Sequence, residues 1–220
     1  MALDCLELRS GPAPATTIII LHGLGADGHD FVPVCEAMDL SPLGDVRYIL
    51  PNAPERPVSV NGGYVMRAWY DIAGTPHSRI EDEAGLRASQ TLIEALIERE
   101  RQRGVPASRI VLMGFSQGCA MTLLTGLRHA ERLAGIVGLS GYLPLAALTP
   151  TERHGANAGT PIFLAHGRQD PMIAIDRATA SRDALLAMGY QVEWHDYEMP
   201  HSVCMDEIVD LNRWLLRVLA

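Results

Sequence analysis

The chain has 220 residues, of which 48% are apolar and 20% charged, and it carries a net charge of −8. Length and composition suit one globular domain over residues 1–220 with a sizeable core. The negative balance argues against general affinity for nucleic acid or anionic membranes, and no run of Lys or Arg offers a local exception.

Residues 1–10 carry Asp4 and Glu7 and lack a basic start followed by an apolar core, so they do not read as a signal peptide. Residues 16–21 are a β-branched run stopped by Gly23, and Ile18-Ile19-Ile20-Leu21 is far too short to span a bilayer. A second strand is expected over 45–50, closed by Pro51. The next stretch, 56–79, breaks the rhythm with Gly62-Gly63, Gly74 and Pro76 among the aromatics Tyr64, Trp69 and Tyr70. A long excursion of this kind is often functional, and a surface loop tucked down by its aromatics accounts for it equally well. Residues 81–103 run from acidic to basic with Leu86, Ile93, Leu96 and Ile97 near helical spacing, which predicts a helix ended by Gly104 and Pro106.

A short strand at 109–113 and a helix at 116–128 follow, then buried strands at 133–139 and 161–165. A helix at 173–188, a strand at 191–197 and an amphipathic helix at 202–219 close the chain. Strands alternating with helices imply a mostly parallel central sheet with helices on both faces. Cys5, Cys35, Cys119 and Cys204 are scattered without C-x-x-C spacing, which predicts neither a disulfide framework nor a metal site and makes a reducing cytoplasm the default.

Gly114-Phe115-Ser116-Gln117-Gly118 has the spacing of a nucleophile elbow. A serine on a tight strand-to-helix turn holds its hydroxyl clear of the sheet, and flanking glycines let neighbouring backbone pass close. The helix behind aims its first amides at the point where negative charge develops. A short pattern of this kind also arises by chance, but the strand before it and the small residues Gly118, Cys119 and Ala120 after it supply the required context.

Hydrolases built on such an elbow place an acid and then a histidine later in the chain. His129 lies on the nucleophile's own helix, His154 lacks strand support, and the fate of His195 depends on the face it takes. His201 follows the last strand at its carboxyl end, where open α/β sheets place their sites, and is the expected base. Asp170, also beyond a strand end, is the expected acid; Asp196 is its chief rival, and Asp176 and Asp183 fall on a helix as a solvated face.

Gly23-Leu24-Gly25-Ala26-Asp27-Gly28 fits G-x-G-x-x-G, the remote alternative being a dinucleotide-binding enzyme. Such a loop should open a helix at once and be followed by an acid closing the second strand, whereas Pro33 interrupts the next stretch and Asp45 begins its strand. An oxyanion loop fits better, with backbone N–H groups of Leu24 and Gln117 as the donors. His22, Asp27, His29 and Asp30 have no metal-ligand spacing and are expected as solvated loop polars.

Together His22-Gly23-Leu24-Gly25-Ala26-Asp27-Gly28, Pro51-Asn52-Ala53-Pro54, Trp69-Tyr70-Asp71, the Ser116 elbow, His166-Gly167-Arg168-Gln169-Asp170 and Pro200-His201 resemble the carboxylesterase and acyl-protein thioesterase family over nearly the full chain. The resemblance implies a small α/β-hydrolase without a large lid domain and a Ser116–Asp170–His201 triad. It implies Leu24 and Gln117 as oxyanion donors and no cofactor or metal. Cys119 stands where the family often has glycine; a buried thiol fits that packing. Expected substrates are simple carboxylic esters of small-to-medium acyl groups, with lysophospholipids or fatty-acylated cysteines as the alternative. Trp69, Leu143, Met172 and Val203 are candidates for an apolar acyl pocket, each equally accounted for by ordinary packing. A small ester or acylated substrate is the expected partner, without nucleic acid or stable membrane insertion, for a monomer or homodimer.

Overall fold

The computed structural model describes residues 3–75 and 78–220, so Pro76 of the expected excursion and the first two residues lie outside the described residues. The chain begins with β1 (Cys5–Arg9) and β2 (Thr16–Leu21), a short helix α1 (Val32–Ala37) and β3 (Val46–Pro51). Two hairpins follow, β4 (Glu55–Val58) with β5 (Tyr64–Arg67) and β6 (Ile72–Thr75) with β7 (Ser78–Glu81). The long helix α2 (Glu83–Gln102) leads to β8 (Ile110–Phe115), α3 (Gln117–Arg128) and β9 (Gly135–Leu139). A single turn, α4 (Thr149–Glu152), precedes β10 (Ile162–Gly167), α5 (Ile175–Ala187), β11 (Val192–Tyr197) and α6 (Met205–Leu219).

Seven strands form the central sheet in the order β1-β3-β2-β8-β9-β10-β11. All neighbours pair in parallel except β1 with β3. Every residue of β2, β3 and β10 is buried, as expected of strands covered on both faces. One apolar cluster, including Ile19, Leu86, Ile97, Leu124 and Ile136, packs on one side of the sheet. A second, including Ile18, Phe31, Met113, Phe163 and Trp214, fills the other.

Local chemistry sets the helix ends. Asp82 caps α2 by accepting from the Gly85 amide at 2.9 Å, and Gly104, at φ 93°, carries the chain out of it. Near the end of α2 the fully buried Glu100 accepts from Arg47 at 2.6 Å, Thr17 at 2.9 Å and Arg103 at 2.9 Å, pinning the helix to β2 and β3. The antiparallel edge strand β1 and the two hairpins were not expected; the 56–79 excursion is mostly paired strand.

Candidate active site

Because β8, β10 and β11 run in parallel, their carboxyl ends open on one edge of the sheet. Ser116 stands between β8 and α3 at φ 57°, a left-handed conformation that costs a non-glycine residue on the order of 1–3 kcal/mol. A Cβ on Gly114 would strike the Gly118 carbonyl, and one on Gly118 the Leu21 carbonyl. The two glycines therefore let β8, α3 and β2 meet closely enough to hold the turn. The Ser116 amide donates to Leu139 on β9 at 2.9 Å.

His201 reaches this serine from the loop after β11. Its Nε2 lies 3.0 Å from Ser116 Oγ, and its Nδ1 lies 2.7 Å from Asp170 Oδ2. With the Nδ1 proton donated to the carboxylate, Nε2 presents its lone pair to the hydroxyl, so the arrangement can draw a proton from Ser116. Asp170 is locked from several sides. Oδ1 accepts from the amides of Met172 at 2.8 Å and Ile173 at 2.9 Å, while Oδ2 also lies 3.2 Å from His166 Nε2. His166 is fully buried, donates from Nε2 to the Ile173 carbonyl at 2.8 Å, and has its pKa pushed down by burial, so it stays neutral. The rival acid is occupied elsewhere: Asp196 accepts from Arg168 at 2.5 Å and from the Trp194 indole at 3.0 Å. His195 stacks between Phe163 and Tyr197.

The loop after β2 lies against the elbow, where a Cβ on Gly23 would approach Ser116 Cβ to 3.3 Å. His22 corrects the expectation of a solvated loop polar. It is fully buried, and its Nε2 accepts from the Ala53 amide at 2.9 Å. Nδ1 must then carry the proton it donates to the Gly23 carbonyl at 2.6 Å, which fixes the peptide leading into Leu24. Only its companions His29 and Asp30 are exposed. Within the described residues neither the Leu24 nor the Gln117 amide donates to an internal acceptor, and both residues border the same cavity as Ser116. The loop does not open a helix as a dinucleotide site would; a short turn and the Pro33-bearing α1 follow.

Sequence reasoning missed the Gln117 side chain. Its Oε1 accepts from the Trp69 amide at 3.0 Å and its Nε2 donates to the Tyr70 carbonyl at 2.9 Å, fastening the excursion to the residue after the nucleophile. No local pattern announces a bond between residues 48 apart in sequence.

A cavity of about 620 Å³ opens over Ser116, Gln117 and His201. Phe31, Val34 and Val203 line one flank; Tyr70, Ile72 and Leu86 line the other. Met172 and Val203 border it, whereas Trp69 and Leu143 do not. Trp69 is fully buried, spending its indole N–H on the His22 carbonyl at 2.9 Å, and thus anchors the wall from behind. Leu143 packs in the core with its amide on Ser181 Oγ at 2.9 Å, leaving Tyr142 to face the cavity. Cys119 is 1% exposed and burial pushes its thiol up to about 12, so it is an inert packing group. Among the described residues no group of three His, Cys, Asp or Glu side chains is placed to hold a metal ion, and no helix is long and apolar enough to cross a membrane.

A serine on a strained elbow, backed by a histidine and a carboxylate on successive strand ends of a mostly parallel sheet, defines a serine hydrolase of the α/β-hydrolase fold. A profile of the phospholipase/carboxylesterase family matches residues 4–219, and the chain belongs to that family. It is 42% identical to acyl-protein thioesterase 1 of Yarrowia lipolytica over 215 residues, covering 96% of this chain and 95% of that one. Identity to acyl-protein thioesterase 1 of Neurospora crassa is 43% over 210 residues, covering 90% and 85%. The crystal structure of Zea mays acyl-protein thioesterase 2 superposes with a TM-score of 0.87 at 29% identity, covering 99% of both chains.

Proposed function

We propose that this enzyme hydrolyses carboxylic esters and acyl thioesters through a Ser116 acyl-enzyme, within one α/β-hydrolase domain. The observation that carries the proposal is the unbroken relay from Asp170 through His201 to Ser116, at 2.7 and 3.0 Å, beneath a largely apolar cavity. His201 takes the proton of Ser116 as its oxygen attacks the acyl carbonyl. The Leu24 and Gln117 amides receive the oxyanion, and His201 returns the proton to the departing alcohol or thiol. Water, deprotonated by His201 in its turn, adds to the acyl-enzyme and releases the acid.

Thioester turnover is supported by the similarity to proteins named acyl-protein thioesterase. Cys5, Cys35, Cys119 and Cys204 are all free thiols, which supports a reducing cytoplasm as the working compartment. The test is fluorophosphonate labelling followed by kcat/KM across acyl lengths on paired oxygen esters and thioesters. Ser116 should be the labelled residue, and Ser116→Ala should abolish labelling and turnover of both ester types. Labelling at another residue, or turnover surviving in Ser116→Ala, would sink the assignment.

A further inference from the structure

We propose that Arg177 makes the α5 end of the cavity a receptor for a carboxylate on the substrate, so that the enzyme favours esters whose acyl chain or leaving group ends in a negative charge. This deepens the hydrolase proposal and rests on it.

The two flanks of the cavity differ in chemistry. Around Phe31, Val34 and Val203 the wall is apolar but for Asp30. On the other flank a polar unit interrupts the apolar lining. Tyr70 and Tyr142 meet hydroxyl to hydroxyl at 2.8 Å, and the guanidinium of Arg177 lies over the Tyr142 ring, 3.3 Å from its centroid. All three residues border the cavity, and Arg177 is half-buried. Among the described residues that form the cavity wall, Arg177 is the one arginine.

Most of the other arginines are spent on acids. Arg47, Arg87, Arg103 and Arg128 each meet a glutamate at 3.2 Å or closer, and Arg168 holds two carboxylates. For Arg177, no carboxylate within 4.0 Å and no side-chain hydrogen bond is found among the described residues. The acids on the same cavity wall do not serve it. Glu81 accepts from the Leu145 amide at 3.0 Å, Asp71 takes both the amide and hydroxyl of Ser59, and Asp30 lies on the apolar flank beside Phe31.

Face-on stacking uses the flat side of the guanidinium and leaves its in-plane N–H groups available, the fork that matches a carboxylate. The tyrosine pair adds a donor, because two hydroxyls that share one hydrogen bond still have one O–H left to give. The guanidinium edge and the spare tyrosine O–H, bordering the same cavity as the apolar lining, fit an acyl or leaving-group end that carries acceptors. A saturated chain end would strip water from them and return no bond.

The test compares wild type, Arg177→Met and Arg177→Lys on two matched substrate pairs. The first is p-nitrophenyl hexanoate against the mono-p-nitrophenyl ester of adipic acid, which places the carboxylate on the acyl chain. The second is 4-carbamoylphenyl hexanoate against 4-carboxyphenyl hexanoate, which places it on the leaving group. The measured quantity is the charged-to-neutral ratio of kcat/KM within each variant, so a general loss of active protein cancels. Arg177→Met should lower that ratio about tenfold or more in one pair, with Arg177→Lys between the two, and the affected pair identifies where the carboxylate sits. A ratio unchanged by Arg177→Met in both pairs overturns the proposal while leaving the hydrolase assignment intact. Failure of wild type to turn over either neutral ester overturns the hydrolase assignment, and this inference with it.

Discussion

The elbow around Ser116 is held by backbone: Gly114 against the Gly118 carbonyl, Gly118 against the Leu21 carbonyl, and the Ser116 amide on Leu139. The excursion between β3 and α2, which walls the same cavity, pairs with itself in two hairpins and is fastened to its surroundings largely by side chains, alongside a backbone bond from the Gly25 amide to the Arg67 carbonyl at 2.8 Å. Gln117 grips the Trp69 amide and Tyr70 carbonyl, Ser89 donates to the Trp69 carbonyl, and Asp82 accepts from the Asp71 amide at 2.9 Å. Close backbone contact demands glycine at fixed spacing and so writes a motif into the chain. Side-chain tethers demand only that a suitable group arrive from far away, and they leave no local pattern.

The sharpest test of the backbone-held half is Asp170→Asn. The new amide can keep its oxygen on the Met172 and Ile173 amides, where Asp170 Oδ1 now accepts. It then turns NH₂ toward His201 Nδ1, forcing the ring proton onto Nε2, where it blocks proton uptake from Ser116. With the fold preserved, kcat on a p-nitrophenyl ester should fall on the order of 10⁴-fold with little change in melting temperature. A loss under tenfold would remove Asp170 from the relay.

The side-chain-held half is tested by Gln117→Ala, with an intermediate effect. Truncation strands the buried Trp69 amide and Tyr70 carbonyl, each costing about 1–3 kcal/mol if left unpaired. The backbone amide of residue 117 stays, so the chemistry survives in a loosened wall. Melting temperature should drop, kcat/KM should fall about 10- to 100-fold, and amide exchange at residues 69–71 should accelerate. Unchanged exchange there would show that the excursion is anchored by other contacts.

This division also explains what the sequence made legible. Apolar runs such as 16–21 and 161–165 marked strands because burial on both faces leaves little choice of residue. Ser116, Asp170 and His201 could be picked out because strand ends and elbow spacing are topological rules. β1 escaped notice because its Cys5-Leu-Glu-Leu-Arg9 run is half-exposed and short, a weak signal for an edge strand. The β4–β5 hairpin did carry a turn signal in Gly62-Gly63, at φ 67° and 80°, but half the residues of its four-residue strands are exposed and β4 contains Pro57. Trp69 and Leu143 were misplaced for a third reason: large apolar side chains near a site pack behind its wall as readily as on it.

The smallest expected effect concerns His22, the latch that ties the loop after β2 to the start of the excursion by accepting from Ala53 while donating to Gly23. Burial pushes its pKa below the ordinary 6.5, so the unfolded chain binds a proton more readily than the folded one. Its stabilising share is therefore complete above pH 6.5 and is lost as pH falls below that value toward the depressed folded pKa. His166 contributes a slope of the same sign. Glu207 opposes both: it is fully buried and burial pushes it up to about 8, so its share is lost as pH rises between 4.5 and 8. The effect of His22 must then be read as a difference between proteins. Gln at this position can keep an oxygen on the Ala53 amide without titrating. Between pH 6.5 and 5, His22→Gln should lose less stability than wild type, by at most about 1.4 kcal/mol per pH unit. His22→Leu, which strands the Ala53 amide, should instead melt lower at every pH. Parallel melting curves for wild type and His22→Gln across that range would mean that the latch does not depend on a neutral ring.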